Sequence, residues 1–149
     1  MDAKFHHRHV EVPSRGCLEF VDLTDQIKTI LKDSGITNGL LNVQTRHTTA
    51  SIVVNENEPR LLQDMKRVLE SLAPQSGKYL HNDLHLRRPP VAPEEDQNGH
   101  SHCKALFLKS SEIFNVVNGE LQLGCWQRVF LLELDKPRTR VISIMVLGV

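Results

Sequence analysis

Several things are scarce in this chain, and each scarcity removes a class of function. Net charge is missing: 18 Lys plus Arg balance 18 Asp plus Glu over 149 residues, so no field recruits nucleic acid or an acidic membrane surface. Aromatic residues are few, with five Phe, one Tyr and one Trp, too few for a platform that stacks single strands. No apolar run approaches the ~18 residues of a membrane span, and the first nine residues are polar and histidine-rich, unlike a signal peptide. Cysteines are three, Cys17, Cys103 and Cys125, widely spaced and without a CxxC pair. That argues for reduced thiols in a cytoplasmic protein and against a disulfide framework. No GxGxxG, GxxxxGK(S/T) or GxSxG occurs, which sets aside Rossmann and P-loop nucleotide binding and the hydrolase elbow. The length suits one domain, residues 1–149, with one substantial core.

What is present reads as strands framing two main helices. Phe5 to Val12 is a first strand, closed by the turn cluster Pro13-Ser14-Arg15-Gly16, and Leu18 to Val21 a short second one. Asp22 or Thr24 caps a helix over Gln26 to Lys32 that Gly35 ends. Leu40 to Thr45 and Ala50 to Asn55 are two strands, or one ribbon bent around Arg46-His47. Asn57 is a cap candidate for a second helix that Pro59 opens and Pro74 closes, with a stripe of Leu61, Leu62, Met65, Val68, Leu69 and Leu72. Residues 75–99 are irregular and Pro-rich, a loop long enough to be functional or disordered. Ser101 to Leu108 suits a short helix. The chain then ends as a β meander: Glu112 to Val117, the turn Asn118-Gly119, Glu120 to Leu123, Gln127 to Leu134 and Arg138 to Val146.

The chain is organised around His47-Thr-Thr-Ala-Ser-Ile-Val-Val-Asn-Glu-Asn-Glu58. At period two, His47, Thr49, Ser51 and Asn55 share one face and Ala50, Ile52 and Val54 the other. This is either a site wall or a half-buried strand with a wet face. Four of the eight histidines, His81, His85, His100 and His102, fall within or just after the irregular loop. His47, His81 and His102 make a candidate zinc set, since three protein ligands plus water is a catalytic zinc arrangement. His81 and His85 fit one helix face, while His100 and His102 would share a strand face or lie in a loop. Asn55, Glu56, Asn57, Glu58 and Asp64 offer oxygen ligands for magnesium, or merely cap and charge a helix. Asp64 sits at the stripe margin, either solvated or leaning over the sheet edge. Arg87, Arg88, Arg128, Arg138 and Arg140 could receive phosphate. Trp126 is a core plug or, second, a stacking wall for substrate.

These segments, with Tyr79-x-His81-Asn82, Asn98-Gly-His-Ser-His102, Gly119-x-Leu-x-Leu-Gly-x-Trp-Gln127 and Glu133-x-Asp-x-Pro-Arg-x-Arg140, resemble the YjbQ family, also called the secondary thiamine-phosphate synthase family. Cys125 and Lys136 stand where the family usually has Thr and Gly. The resemblance implies an α+β fold, a single domain of mainly antiparallel sheets in a sandwich-like arrangement with two main helices, assembled as a homotrimer. It implies a site lined by His47, His81, His102 and Asp64. It also implies a transferase joining hydroxymethylpyrimidine diphosphate to thiazole phosphate with release of diphosphate. The resulting assignment makes Asp64, Glu56 and His102 catalytic. Thr49, Asn55, Trp126, Gln127 and Arg128 contact a small-molecule substrate, and His47, His81 and His102 hold a divalent metal, zinc or magnesium. Nucleic acid and membranes are not expected partners. The alternatives are a zinc-dependent hydrolase and a non-enzymatic trimeric ligand-binding protein.

Overall fold

Alternating side chains in the last strand set the architecture. In Thr139–Gly148, Arg140, Ile142, Ile144 and Val146 are buried, while Met145 and Leu147 face out. The structure, a computed structural model, describes residues 2–149. Its elements are β1 (Lys4–Pro13), β2 (Glu19–Asp22), α1 (Thr24–Ser34), β3 (Gly39–Thr45), β4 (Ala50–Asn55), α2 (Pro59–Leu72), two short 3-10 turns (Leu80–Asn82 and Leu84–Leu86), α3 (Gly99–Ala105), β5 (Ser111–Val117), β6 (Glu120–Leu121), β7 (Arg128–Glu133) and β8 (Thr139–Gly148). Two antiparallel sheets result, one of five strands in the order β1-β8-β3-β5-β6 and one of three in the order β2-β7-β4. The expected α+β class holds, with a third, shorter α-helix beyond the two main ones.

The core lies between the sheets. Leu41, Val43, Ile142 and Ile144 from the larger sheet meet Ile52, Val129 and Leu131 from the smaller, and Ile27 and Leu31 of α1 join them. Each such side chain contributes about 1.5–3 kcal/mol on burial. The outer face of the smaller sheet carries a second cluster, in which Leu132 and Leu134 meet Leu69 of α2 and Leu18.

Six connections cross from one sheet to the other, among them β1 to β2, β3 to β4 and β7 to β8. The β3–β4 alternatives are thereby decided, because these two strands belong to different sheets. Buried polar side chains join these three named crossings. Glu133 accepts from Ser14 Oγ at 2.9 Å and from Arg140 Nε at 2.7 Å, and Arg140 Nη2 donates to Thr49 Oγ1 at 3.0 Å. The side chains of Glu133 and Arg140 are 0% and 5% exposed.

Local chemistry explains the ends of elements. Asn118 and Gly119 both take positive φ, 52° and 79°, as the tight β5–β6 turn requires. Glu58, not Asn57, caps α2, accepting from the N–H groups of Arg60 and Leu61 at 2.9 and 2.7 Å. Asn57 instead donates to Asp22 Oδ2. For α1, Asp22 Oδ1 accepts from the N–H of Thr24 at 2.9 Å.

Candidate functional site

The turn between β3 and β4 carries His47 to the rim of a cavity of about 620 Å³. Arg46, His47 and Thr48 line it from this turn, His102 from α3, and Lys109 and Ser110 from the segment entering β5. Among the described residues no carboxylate lines it. Arg46 has no ion pair there, while Lys109 Nζ reaches Glu112 at 3.0 Å on its outer side. The lining therefore offers cations, imidazoles and hydroxyls, a donor set for an anionic group.

His47 and His102, 55 residues apart in the chain (102 − 47), meet only through the fold. His47 Nε2 accepts from the N–H of Val141 at 3.2 Å. Burial, then the charge of Arg140, holds His47 below the ordinary imidazole range. The rings of His81 and His102 touch edge to face, with centroids 4.6 Å apart. Burial first, then the charge of His81, likewise pushes His102 down. His81 packs on His102 from outside the cavity lining. Among the described residues no three His, Cys, Asp or Glu side chains are grouped to hold a metal ion. The set of His47, His81 and His102 thus does not fit a complete metal site within one chain.

The other assigned residues lie elsewhere. Asn55 and Asp64 border a second, largely apolar groove of about 510 Å³ between β4 and α2. Asp64 pairs with Arg67 one turn along the helix. Glu56 follows β4, with its N–H on Asn55 Oδ1 at 2.9 Å. The expected polar face of His47, Thr49, Ser51 and Asn55 is divided: His47 and the buried Ser51 line the first cavity, Thr49 is buried, and Asn55 borders the second groove. His47 and Thr49 precede the strand, and Thr49 serves Arg140. Arg128 is bound to Asp22 at 2.8 Å and Asp25 at 3.2 Å. Gln127 Oε1 accepts from the N–H of Gly124. Trp126 is 70% exposed and plugs no core.

The arginines of the closing segment are also engaged. Arg138 pairs with Asp135 and Asp96, and Arg140 with Glu133. The histidine-rich loop differs from its expected spacing too. His81 and His85 sit on separate 3-10 turns. His100 and His102 ride α3, with His100 only 3% exposed and His102 half-buried. Gly99 is required where α3 begins, since a Cβ there would lie 2.5 Å from Cβ of Tyr79. Arg46, Lys109 and Ser110 carried no sequence signal, for a Lys-Ser pair before a strand resembles any surface turn.

The family described as UPF0047 protein YjbQ-like matches residues 8–149. A UPF0047 protein of Methanothermobacter thermautotrophicus is 41% identical over 131 residues, covering 88% of this chain and 84% of that protein. UPF0047 protein YugU of Bacillus subtilis is 33% identical over 131 residues, covering 87% and 90%. Among solved structures, a YbjQ-like protein of unknown function from Sulfolobus solfataricus P2 superposes with a TM-score of 0.89. It shares 35% identity and covers 99% of this chain and 100% of its own.

Proposed function

The chain belongs to the UPF0047 protein YjbQ-like family, and on that premise we propose that it binds a small phosphorylated substrate between His47 and His102. The supporting observation is the lining of that cavity, with Arg46, Lys109, two imidazoles and hydroxyls but no carboxylate among the described residues. Such a set neutralises phosphate charge, including charge that develops on a leaving diphosphate. The reaction proposed is the one the family resemblance implies. The nitrogen of a thiazole phosphate attacks the methylene carbon of hydroxymethylpyrimidine diphosphate. A C–N bond forms, the C–O bond breaks, and its electron pair leaves with diphosphate. A divalent metal, zinc or magnesium, enters this proposal only through His81 and His102, whose rings already touch.

A homotrimer and a cytoplasmic location belong to the same proposal. A ring of three needs two complementary surfaces on each subunit, and two apolar surfaces stand open. One is the outer face of the five-stranded sheet, with Phe5, Ile113 and Leu147 exposed. The other is the ridge of α2 and the end of α3, with Val68, Leu106 and Phe107 exposed. Sedimentation of the purified protein reads the subunit number directly. Cys17, Cys103 and Cys125 are all free thiols, which suits a reducing compartment. Among the described residues no helix is long and apolar enough to cross a membrane.

The test is an assay of purified protein with both precursors. Thiamine phosphate should form, and His102→Ala should abolish it. Product unaffected by His47→Ala and His102→Ala marks a contaminant and refutes the proposal. The hydrolase alternative draws on the same His81–His102 contact and predicts stoichiometric zinc retained through dialysis. The non-enzymatic alternative predicts that neither product nor turnover appears while the ligand still binds.

A further inference from the structure

We propose that His47 is a hydrogen-bond donor to an oxyanion in the cavity, fixed in that role by the backbone of β8, and is not a metal ligand. β3 and β8 pair from Gly39 opposite Gly148 to Thr45 opposite Ile142. The next position would set Arg46 against Val141, but the chain leaves for the other sheet there. The amide of Val141 is left without a strand partner on that side. Nε2 of His47 takes the place of the missing carbonyl, accepting the Val141 N–H at 3.2 Å. The amide is half-buried, so leaving it unpaired would carry part of the ~1–3 kcal/mol cost of a buried unsatisfied group, which favours this contact.

That contact decides the tautomer. An imidazole nitrogen that accepts an N–H offers its lone pair in the ring plane, and in a neutral ring the proton then sits on the other nitrogen. His47 is therefore an Nδ1–H ring. Protonating Nε2 as well would face one N–H against another. The contact with the Val141 amide therefore favours the neutral ring.

Nδ1 has no hydrogen-bond partner among the described residues, and it is not among the buried unpartnered atoms. Nδ1 is thus accessible, and His47 lines the cavity in which we place the acceptor. A metal would have to displace either the Val141 amide or the Nδ1 proton, so neither nitrogen is a free ligand. What Nδ1–H can meet is an acceptor. The polar groups that share the cavity lining can donate: the Arg46 guanidinium, the hydroxyls of Thr48 and Ser110, and the Lys109 ammonium, which also pairs with Glu112; the rest of the lining includes Ala50, Ala105, Leu106 and Leu108. A phosphate or diphosphate matches these donors. This choice of ligand rests on the proposed function above, whereas the tautomer follows from the strand register alone.

The experiment uses the full chain labelled with 15N at histidine, stripped of metal with a chelator and held near neutral pH. Long-range proton–nitrogen spectra, assigned through the contact of His47 with the Val141 amide, should show Nδ1 protonated and Nε2 not. Inorganic diphosphate should then move the Nδ1 proton, while zinc added alone should leave both His47 nitrogens in place. Calorimetry with inorganic diphosphate adds a second arm. His47→Asn keeps an amide N–H near Nδ1 and should bind within about threefold of the parent. His47→Gln can satisfy Val141 but offers no donor at Nδ1, and should lose about tenfold or more, as for a charge-assisted hydrogen bond. An Nε2–H ring, zinc bound to a His47 nitrogen, no diphosphate binding, or full binding by His47→Gln would each overturn the proposal. Diphosphate binding with the expected tautomer but no product from the two precursors supports it, and counts against the transfer reaction alone.

Discussion

Replacing Glu133 with Gln changes almost no volume, yet it should be among the most damaging substitutions in this protein. The carboxylate is wholly buried and accepts from Ser14 Oγ, Asp135 N and both Nε and Nη2 of Arg140. Without its charge, the Arg140 guanidinium stays buried with no counterion. Breaking one side of such a pair costs about 3–5 kcal/mol. A domain of this size is stable by roughly 5–15 kcal/mol, so about a fifth or more of the total is lost. At about 2–4 °C per kcal/mol, the melting temperature should fall by roughly 6–20 °C. Urea titration followed by far-ultraviolet circular dichroism reads the effect. Trp126 fluorescence would not serve, because the ring is already largely in solvent. The double variant Glu133→Leu with Arg140→Met leaves no unpaired charge and should recover most of the loss. A single-variant cost below about 1 kcal/mol, or a double variant as weak as the two singles added together, would refute the reasoning. Since Arg140 also holds the Thr49 hydroxyl at 3.0 Å, Glu133→Gln should loosen the 46–49 turn and weaken diphosphate binding at His47 too.

Three further outcomes are expected. His47, His100 and His102 are all held below the ordinary imidazole value, burial being the largest cause in each. Below about pH 6.5 the unfolded chain therefore binds more protons than the folded one, and stability is lost as pH falls through that range. The urea midpoint should decline from about pH 7.5 to 5.5, and a level midpoint would contradict the burial of these rings. Gly99→Ala should cost about 1–3 kcal/mol, since the new Cβ meets the Tyr79 side chain and the start of α3 must shift; a melting temperature equal to the parent's would disprove that close approach. Trp126→Ala should alter stability by less than about 0.5 kcal/mol, and a larger loss in the same titration would mean that the ring is covered in solution.

Period-two patterning located the strands to within one to three residues at most ends. The hydrophobic stripes located α1 and α2, because each of these signals is local and repeats along the chain. The Asn118-Gly119 turn was equally legible, since two successive positive φ values restrict the residues that fit. Caps were harder. Both Asn57 and Glu58 are sensible candidates, and only the path of the chain past Asp22 decides that Asn57 goes there and Glu58 to α2.

The stretch from His47 to Glu58 shows the division most clearly. Its sequence alone determined a core strand, a helix start and an unusual polar beginning, and family likeness marked it as a site wall. Only the tertiary structure decided that the polar beginning belongs to a crossing between two sheets. That crossing leaves Val141 without a partner on the β3 side, engages Nε2 of His47, and buries Thr49 beneath Arg140. It also brings His102 and Lys109 to the same cavity while leaving Asn55 and Asp64 on another groove. The physical reason is that a residue's partners across a sheet corner depend on where neighbouring strands stop. That is set by packing between segments far apart in the chain, and no local pattern records it.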